Sequence, residues 1–396
     1  MKSLTLSARA GQLKPSPTLG ISARAQAMRA EGIDVISLAA GEPDFPTPAL
    51  VCEAAIAALN SGFTKYTPTP GVPELRKVIA EKLSRENQVR AAAENVVVSS
   101  GAKQSLFNAC NVILDPGDEV ILIAPYWMTY AEQVRLAGGE PVKVQTSAES
   151  DFVPSFDQLR DAVTPRTKAI IINSPANPTG AVYPRQTLKE IASLAIRHDL
   201  WVISDEIYEK LIYGGVEHVS IGSLGTDIAE RTITIGGCSK TYAMTGWRIG
   251  FAAAPVPVAK AMSNFQDQVT SSANSFAQKG AIRAFQLDGA PVETMRAEYE
   301  ARRDLVVGLL RDIPGVTINL PHGAFYVMPD VTTYLVGRIA NDLELAEYLL
   351  DEAKVATVPG SVFEGHGHIR LSYAASRENL KAGVKRISDA LQKLRA

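Results

Sequence analysis

Between residues 50 and 255, short uninterrupted apolar runs alternate with stretches of helical periodicity. The runs fall at 96–98, 120–123, 169–172, 201–203, 232–235 and 249–254, each bounded by Gly, Pro, Asn or Asp. Continuous rather than alternating hydrophobicity marks strands buried on both faces. Helical segments are predicted between most of them, at 103–114, 126–137, 156–163 and 186–198. This alternation predicts an α/β fold with a mainly parallel sheet flanked by helices. The short link between the last two runs admits an antiparallel strand there.

Beyond about residue 285 the texture changes. A charged helix is predicted at 293–310, followed by alternating strands at 324–328 and 368–374 and an amphipathic helix at 377–394. The expected organisation is a large domain over 46–285 and a smaller α+β domain built from 1–45 and 286–396. No internal repeat or low-complexity linker interrupts it.

The chain has 396 residues, 46% hydrophobic and 21% charged, with a net charge of −2. That balance offers no electrostatic footprint for nucleic acid or an anionic membrane. No run approaches the ~18 apolar residues of a membrane helix. Cys52, Cys110 and Cys238 show no metal or redox spacing. A soluble protein of a reducing compartment, the cytoplasm, is expected. His366 and His368 lie in a Gly-rich loop too poor in partner ligands to make a site, so no metal is expected there. Lys2, Arg9, Lys14, Arg24 and Arg29 precede the first acid, Glu31. This bias resembles a transit peptide, but the segment runs straight into patterned sequence and reads as an N-terminal arm of the mature chain.

In an open parallel sheet, ligands sit at the carboxyl ends of the strands, so those ends locate candidate chemistry. After 232–235 come two glycines and then Cys238-Ser239-Lys240, with Arg248 eight residues further on. A lysine kept partly neutral by apolar surroundings is a nucleophile toward carbonyls, and a nearby arginine clamps phosphate. A solvated surface lysine is the plain alternative; a nucleotide-binding loop fits poorly, because Ser239 stands where glycine is needed. After 96–98, Ser99-Ser100-Gly101-Ala102-Lys103 leads into a helix, an anion cup or an ordinary tight turn. Lys103 in a first helical turn opposes the helix dipole and is easier to account for beside an anion. After 120–123, Trp127 offers either core packing or an indole face for a flat ring. After 169–172, Asn177 sits between prolines, as a turn residue or a fixed amide. After 201–203 comes Asp205, whose burial at a strand end calls for a cationic partner.

Taken together these residues resemble the class I aminotransferases of the fold type I pyridoxal-phosphate group. The resemblance runs from Ala40-Gly41-Glu42-Pro43-Asp44-Phe45 through Thr64-Lys65-Tyr66, Asn177-Pro178-Thr179-Gly180, Ser204-Asp205-Glu206-Ile207-Tyr208 and the Lys240 segment to Ile369-Arg370-Leu371-Ser372-Tyr373-Ala374. It implies that Lys240 holds pyridoxal phosphate covalently and then shuttles the proton. It implies that Asp205 pairs with the ring nitrogen, that Asn177 and Tyr208 reach the phenolic oxygen, and that Trp127 stacks on the ring. Ala102, the Lys103 backbone, Ser239 and Arg248 would hold the phosphate, joined by Tyr66 of the partner subunit in a homodimer. Arg370 would clamp the substrate carboxylate with Gly41, Trp127 and Asn177. Alternation by itself places Arg370 opposite the apolar residues of its strand, where a surface arginine is the alternative.

The pair Lys103 and Thr18, with Ser16 in the same arm, resembles the subgroup that binds a second carboxylate through a lysine and a hydroxyl. The activity implied is transfer between aspartate and 2-oxoglutarate by ping-pong half-reactions, extending to prephenate. An aminotransferase for aromatic or neutral amino acids, or a pyridoxal-phosphate β-lyase, is the rival. A nucleotide-dependent enzyme is disfavoured by the lack of a phosphate-loop motif. A DNA-binding regulator is disfavoured by the lack of room for a basic helix-turn-helix module before residue 40.

Overall fold

The computed structural model describes residues 5–7, 10–11, 17–337 and 339–395. Twelve strands appear among them: β1 Ile36–Ser37, β2 Val96–Ser99, β3 Glu119–Ala124, β4 Glu140–Gln145, β5 Thr167–Asn173 and β6 Trp201–Asp205, then β7 Thr232–Gly237, β8 Gly250–Ala253, β9 Tyr326–Val327, β10 Val355–Ala356, β11 Val358–Pro359 and β12 Ile369–Ser372. Seven form one sheet in the order β2-β8-β7-β6-β5-β3-β4. All run parallel except β8, which is antiparallel to both β2 and β7. The short link expected to reverse the chain does so.

The continuous apolar runs are explained by helices on both faces. From β3, Val120 and Leu122 point one way, into a cluster with Leu106, Ala109, Cys110 and Ile113 of the helix Ala102–Ile113. Ile121 and Ile123 point the other way, against Leu188, Ile191 and Leu194 of the helix Arg185–Arg197. Strand β4 carries no such run and was not anticipated. It is the sheet edge, mostly exposed, with Val144 its one fully buried side chain and Pro141 tolerated because an edge strand leaves donors unpaired. The second predicted helix begins at Thr129 rather than 126. The preceding residues are held in an extended connection, where the Tyr126 N–H donates to the Phe363 carbonyl at 3.0 Å.

The later part of the chain is as patterned: helix Ala290–Arg311, a three-stranded antiparallel sheet β11-β12-β9, and helix Arg377–Arg395. The early strand β1 pairs in parallel with β10, Ile36 opposite Val355. Ile36 and Leu38 share a core with Leu349, Val355 and Leu380, so the segment before residue 40 packs with the end of the chain. The cleft between this packing unit and the carboxyl ends of β5, β6 and β7 holds the candidate site. No described helix is long and apolar enough to cross a membrane.

Candidate active site

A cavity of about 690 Å³ lies at those strand ends, and Lys240, Asp205, Tyr208, Asn177, Arg248 and Arg370 all reach it. Lys240 enters from the turn after β7. Its ammonium donates to the Gly41 carbonyl and stands 5.9 Å from the Tyr208 ring and 5.7 Å from the Phe325 ring. Burial lowers its pKa to about 8; Arg370 and Arg248 act in the same direction, and Glu42 and Asp205 oppose them. Roughly a tenth of the amine is then free at pH 7, several hundred-fold more than for an ordinary lysine.

Asp205 ends β6 and is buried. Burial pushes its carboxyl up to about 6, although Tyr130 Oη donates to Oδ2 at 2.7 Å and the Ile207 N–H to Oδ1 at 3.1 Å. Two donors thus fall short of what water would supply, and a cation at the cavity side would complete the set. Asn177 is fixed by its own N–H, which donates to Asn173 Oδ1 at 2.8 Å. Its Oδ1 accepts from Arg370 Nη1 at 3.0 Å, and Arg370 Nη2 donates to the Ala39 carbonyl at 2.9 Å. Arg370 is no surface arginine: it is buried in the central strand of its sheet, with Tyr326 and Phe363 rings 4.4 and 5.0 Å from its guanidinium carbon. Its buried Nε has no partner.

The turn before helix Ala102–Ile113 is shaped for an anion. Gly101 is its N-cap at φ +84°, and the first intrahelical donor is Gln104, bonded to the Gly101 carbonyl at 3.0 Å. The N–H groups of Ala102 and Lys103 therefore precede the helical ladder. Arg248 arches over the turn, donating to Thr245 O at 2.9 Å and to Ser100 O at 3.5 Å. A Cβ on Gly101 would come within 2.5 Å of Arg248 Nη2, and one on Gly250 within 2.1 Å of the Ala102 nitrogen. Ser239 is buried beside this cup and lines the same cavity.

Lys103 is exposed as a residue, yet its ammonium lies against a neighbouring ring. It sits 4.8 Å from the Trp127 ring centroid, and burial followed by repulsion from Arg248 lowers its pKa. Trp127 lines the cavity edge-on to Tyr130. Gly41 borders the cavity, with the Tyr326 hydroxyl 3.5 Å from where a Cβ would stand. Tyr66 stands apart, 95% exposed and outside the cavity of its own chain. Ser16 and the Thr18 side chain lie outside the described residues, while the Thr18 backbone belongs to the helix Pro17–Ala30.

Three participants escaped the sequence reading. Tyr130 is an ordinary buried helix residue by pattern, Tyr326 sits in a short strand, and Glu42 reaches Thr245 Oγ1 across the chain. Each acquires its role from a residue 75 or more positions away, and no local signal encodes that. Glu206 belongs to a polar network facing away from the cavity. Its carboxylate accepts from Ser204, Asn87 and Ser220 and contacts His218 Nε2 at 3.1 Å. Glu209 joins it through Asn87, and Lys82 Nζ bonds both Glu209 and Asn87. Burial would raise the Glu209 carboxyl, but Lys82 and His218 hold it down to about 2. The ligand atoms of Glu206, Glu209 and His218 lie within 4.8 Å of one another, and the Lys82 ammonium is ion-paired with Glu209 in this cluster.

The family model for aminotransferase class I and II matches residues 33–387. The chain belongs to this aminotransferase family. It is 48% identical over 391 residues to a probable aspartate/prephenate aminotransferase of Aquifex aeolicus, covering 98% of this chain and 99% of that one. It is 47% identical to the aspartate/prephenate aminotransferase of Thermus thermophilus, over 98% of both chains. The solved aspartate aminotransferase of Thermus thermophilus with maleate superimposes with a TM-score of 0.94 at 46% identity, covering 98% of this chain and 100% of that one. The aminotransferase therefore has the fold type I architecture, as its sheet order and site placement already indicated.

Proposed function

We propose that this aminotransferase binds pyridoxal phosphate on Lys240 and transfers the amino group of aspartate to 2-oxoglutarate, with prephenate as a further acceptor. The observation that carries the reading is one cavity presenting a depressed amine, an under-solvated carboxylate and an anion cup at three of its walls. These complement an aldehyde, a pyridine nitrogen and a phosphate. Asp205, short of donors, fits a protonated ring nitrogen, and the Gly101 turn, where a Cβ would strike the Arg248 guanidinium, fits a phosphate shared between the turn and that arginine. When bound, the cofactor supplies an electron sink for charge developing at the substrate Cα.

Lys240 is then the attachment point and, once displaced by substrate, the base that carries the proton from Cα. Asn177 and Tyr208 face the phenolic oxygen, Trp127 covers the ring, and Ser239, Arg248, Ala102 and the Lys103 N–H take the phosphate. Arg370 receives the substrate α-carboxylate beside Gly41, using donors held in place by Asn177 and Ala39. Lys103, already partly desolvated, receives the second carboxylate with the hydroxyls of Thr18 and Ser16. The names of the relatives support dicarboxylate and prephenate substrates.

The exposed Tyr66 supports a homodimer in which each chain completes the other's phosphate site. We also propose that 46–285 and the combination of 1–45 with 286–396 act as separate domains meeting at the cavity, and that the three free cysteines reflect a cytoplasmic location. The test is borohydride treatment of the cofactor-loaded protein followed by peptide mapping, with a panel of amino donors and keto acids. A label at Lys240 and preference for aspartate, glutamate and prephenate are expected. Absence of a labelled Lys240 peptide after incubation with cofactor overturns the reading.

A further inference from the structure

Tyr326 takes no part in the roles assigned so far, yet it touches both ends of the site. Its hydroxyl lies 2.9 Å from the Tyr208 hydroxyl in a fully buried contact. Its ring lies beneath the Arg370 guanidinium at 4.4 Å, the closest cation–ring approach among the described residues of the cavity. Strand pairing fixes it there: Tyr326 in β9 is in register with Ser372, two residues from Arg370 in β12. The groups around this pair are Arg370 from β12, Lys240 near the Tyr208 ring, and Asp205 at the end of β6.

Proton counting gives the contact a direction. Two phenols share one O–H···O bond, so one of them donates and the other accepts. If the Tyr208 proton goes to the cofactor's phenolic oxygen, its oxygen is left to accept from Tyr326. The bonds then form a chain, each polarising the next. A cation on the face of the Tyr326 ring makes its hydroxyl a stronger donor, and a carboxylate bound to Arg370 offsets that cation.

We propose that Tyr326 is a positioning residue that couples the carboxylate clamp to the cofactor, donating to Tyr208 while its ring carries Arg370. Carboxylate binding at one end of the chain thereby weakens hydrogen-bond donation to the phenolic oxygen at the other. This rests on the pyridoxal-phosphate reading above. Donation to an anionic oxygen favours the deprotonated form of the bound chromophore, so weaker donation raises its apparent pKa.

The experiment is a spectrophotometric pH titration of the visible band of the loaded enzyme, with and without saturating maleate. It compares the wild type with Tyr326→Phe, Tyr208→Phe and the double variant. Tyr326→Phe keeps the ring under Arg370 and removes one neutral hydrogen bond. Its apparent pKa should rise by about half a unit to one unit. The increment produced by maleate should be smaller than in the wild type, and Tyr326→Phe should have no further effect in the Tyr208→Phe background. Equal maleate increments in wild type and Tyr326→Phe, or a full Tyr326→Phe shift surviving in the double variant, overturn the coupling. If no visible band or Lys240 label forms in the wild type, the cofactor reading itself fails. A Tyr208→Phe shift without a Tyr326→Phe shift leaves that reading standing and removes only this inference.

Discussion

The phenol of Tyr130 donates to Asp205 Oδ2 at 2.7 Å, across 75 residues of sequence. It occupies one carboxylate oxygen and leaves the acid dependent on whatever cation arrives in the cavity that both residues line. Even with this bond the Asp205 carboxyl is raised to about 6, because burial outweighs its donors.

A raised acid makes the cofactor-free protein less stable at neutral pH. Between the ordinary value near 3.8 and about 6, the unfolded chain loses a proton that the folded chain keeps. Stability is therefore lost as pH rises through that window. Two units correspond to about 2–3 kcal/mol. Asp205→Asn should make the cofactor-free protein more stable at pH 7 by that order, with the difference vanishing below about pH 4. Urea unfolding at several pH values measures it, and a constant difference across the range would show that Asp205 is not the titrating group.

Lys103→Ala tests the dicarboxylate reading. Loss of a charge-assisted contact costs about 1.5–3 kcal/mol, or roughly ten- to a hundred-fold in kcat/KM. The loss should fall on aspartate, glutamate and prephenate, and spare a neutral donor. A uniform loss across donors would assign Lys103 to the phosphate or to packing against Trp127.

Gly101→Ala tests the anion cup. The residue sits at φ +84°, and its new methyl would displace the end of Arg248. Strain of this kind costs about 1–3 kcal/mol. Pyridoxal phosphate affinity should fall by about tenfold or more, measured by titration of the cofactor-free protein, while unsubstituted pyridoxal is less affected. Equal weakening of both ligands would place the damage in the fold rather than in the cup.

Tyr66→Phe addresses assembly. With the side chain 95% exposed in its own chain, removal of the hydroxyl should leave melting of the cofactor-free protein within about 0.5 kcal/mol, as for a surface substitution. Cofactor should dissociate faster. Sedimentation of a fully active monomer at assay concentration would sink the shared-site model.

The sheet was legible because its strands are buried on both faces, so their apolar runs are unbroken. Strand β4 was not, because an edge strand with Glu140, Lys143 and Gln145 exposed looks like loop. Asp205, Lys240 and Asn177 were legible because sheet topology dictates where ligands bind and each follows a readable strand, and Arg248 because it leads into β8, which runs back from that same end. The burial of Arg370 was not, because alternation reports which face a residue occupies and not what covers that face; Tyr326 and Phe363 do so from other elements. Tyr130 was hidden for the same reason: its helix pattern reports burial, while its partner lies 75 residues away.

The single antiparallel strand has a mechanical corollary. Because β8 returns beside β7 with Gly237 opposite Gly250, the segment bearing Lys240 and Arg248 is a closed ring pinned at its neck. The spacing between Lys240 and Arg248 is thus set within fourteen consecutive residues. Arg370 hangs from a different sheet altogether. Any sliding of one sheet past the other alters how far Arg370 stands from Lys240 and leaves Lys240 and Arg248 at their original separation, so the two spacings are independent variables of this architecture.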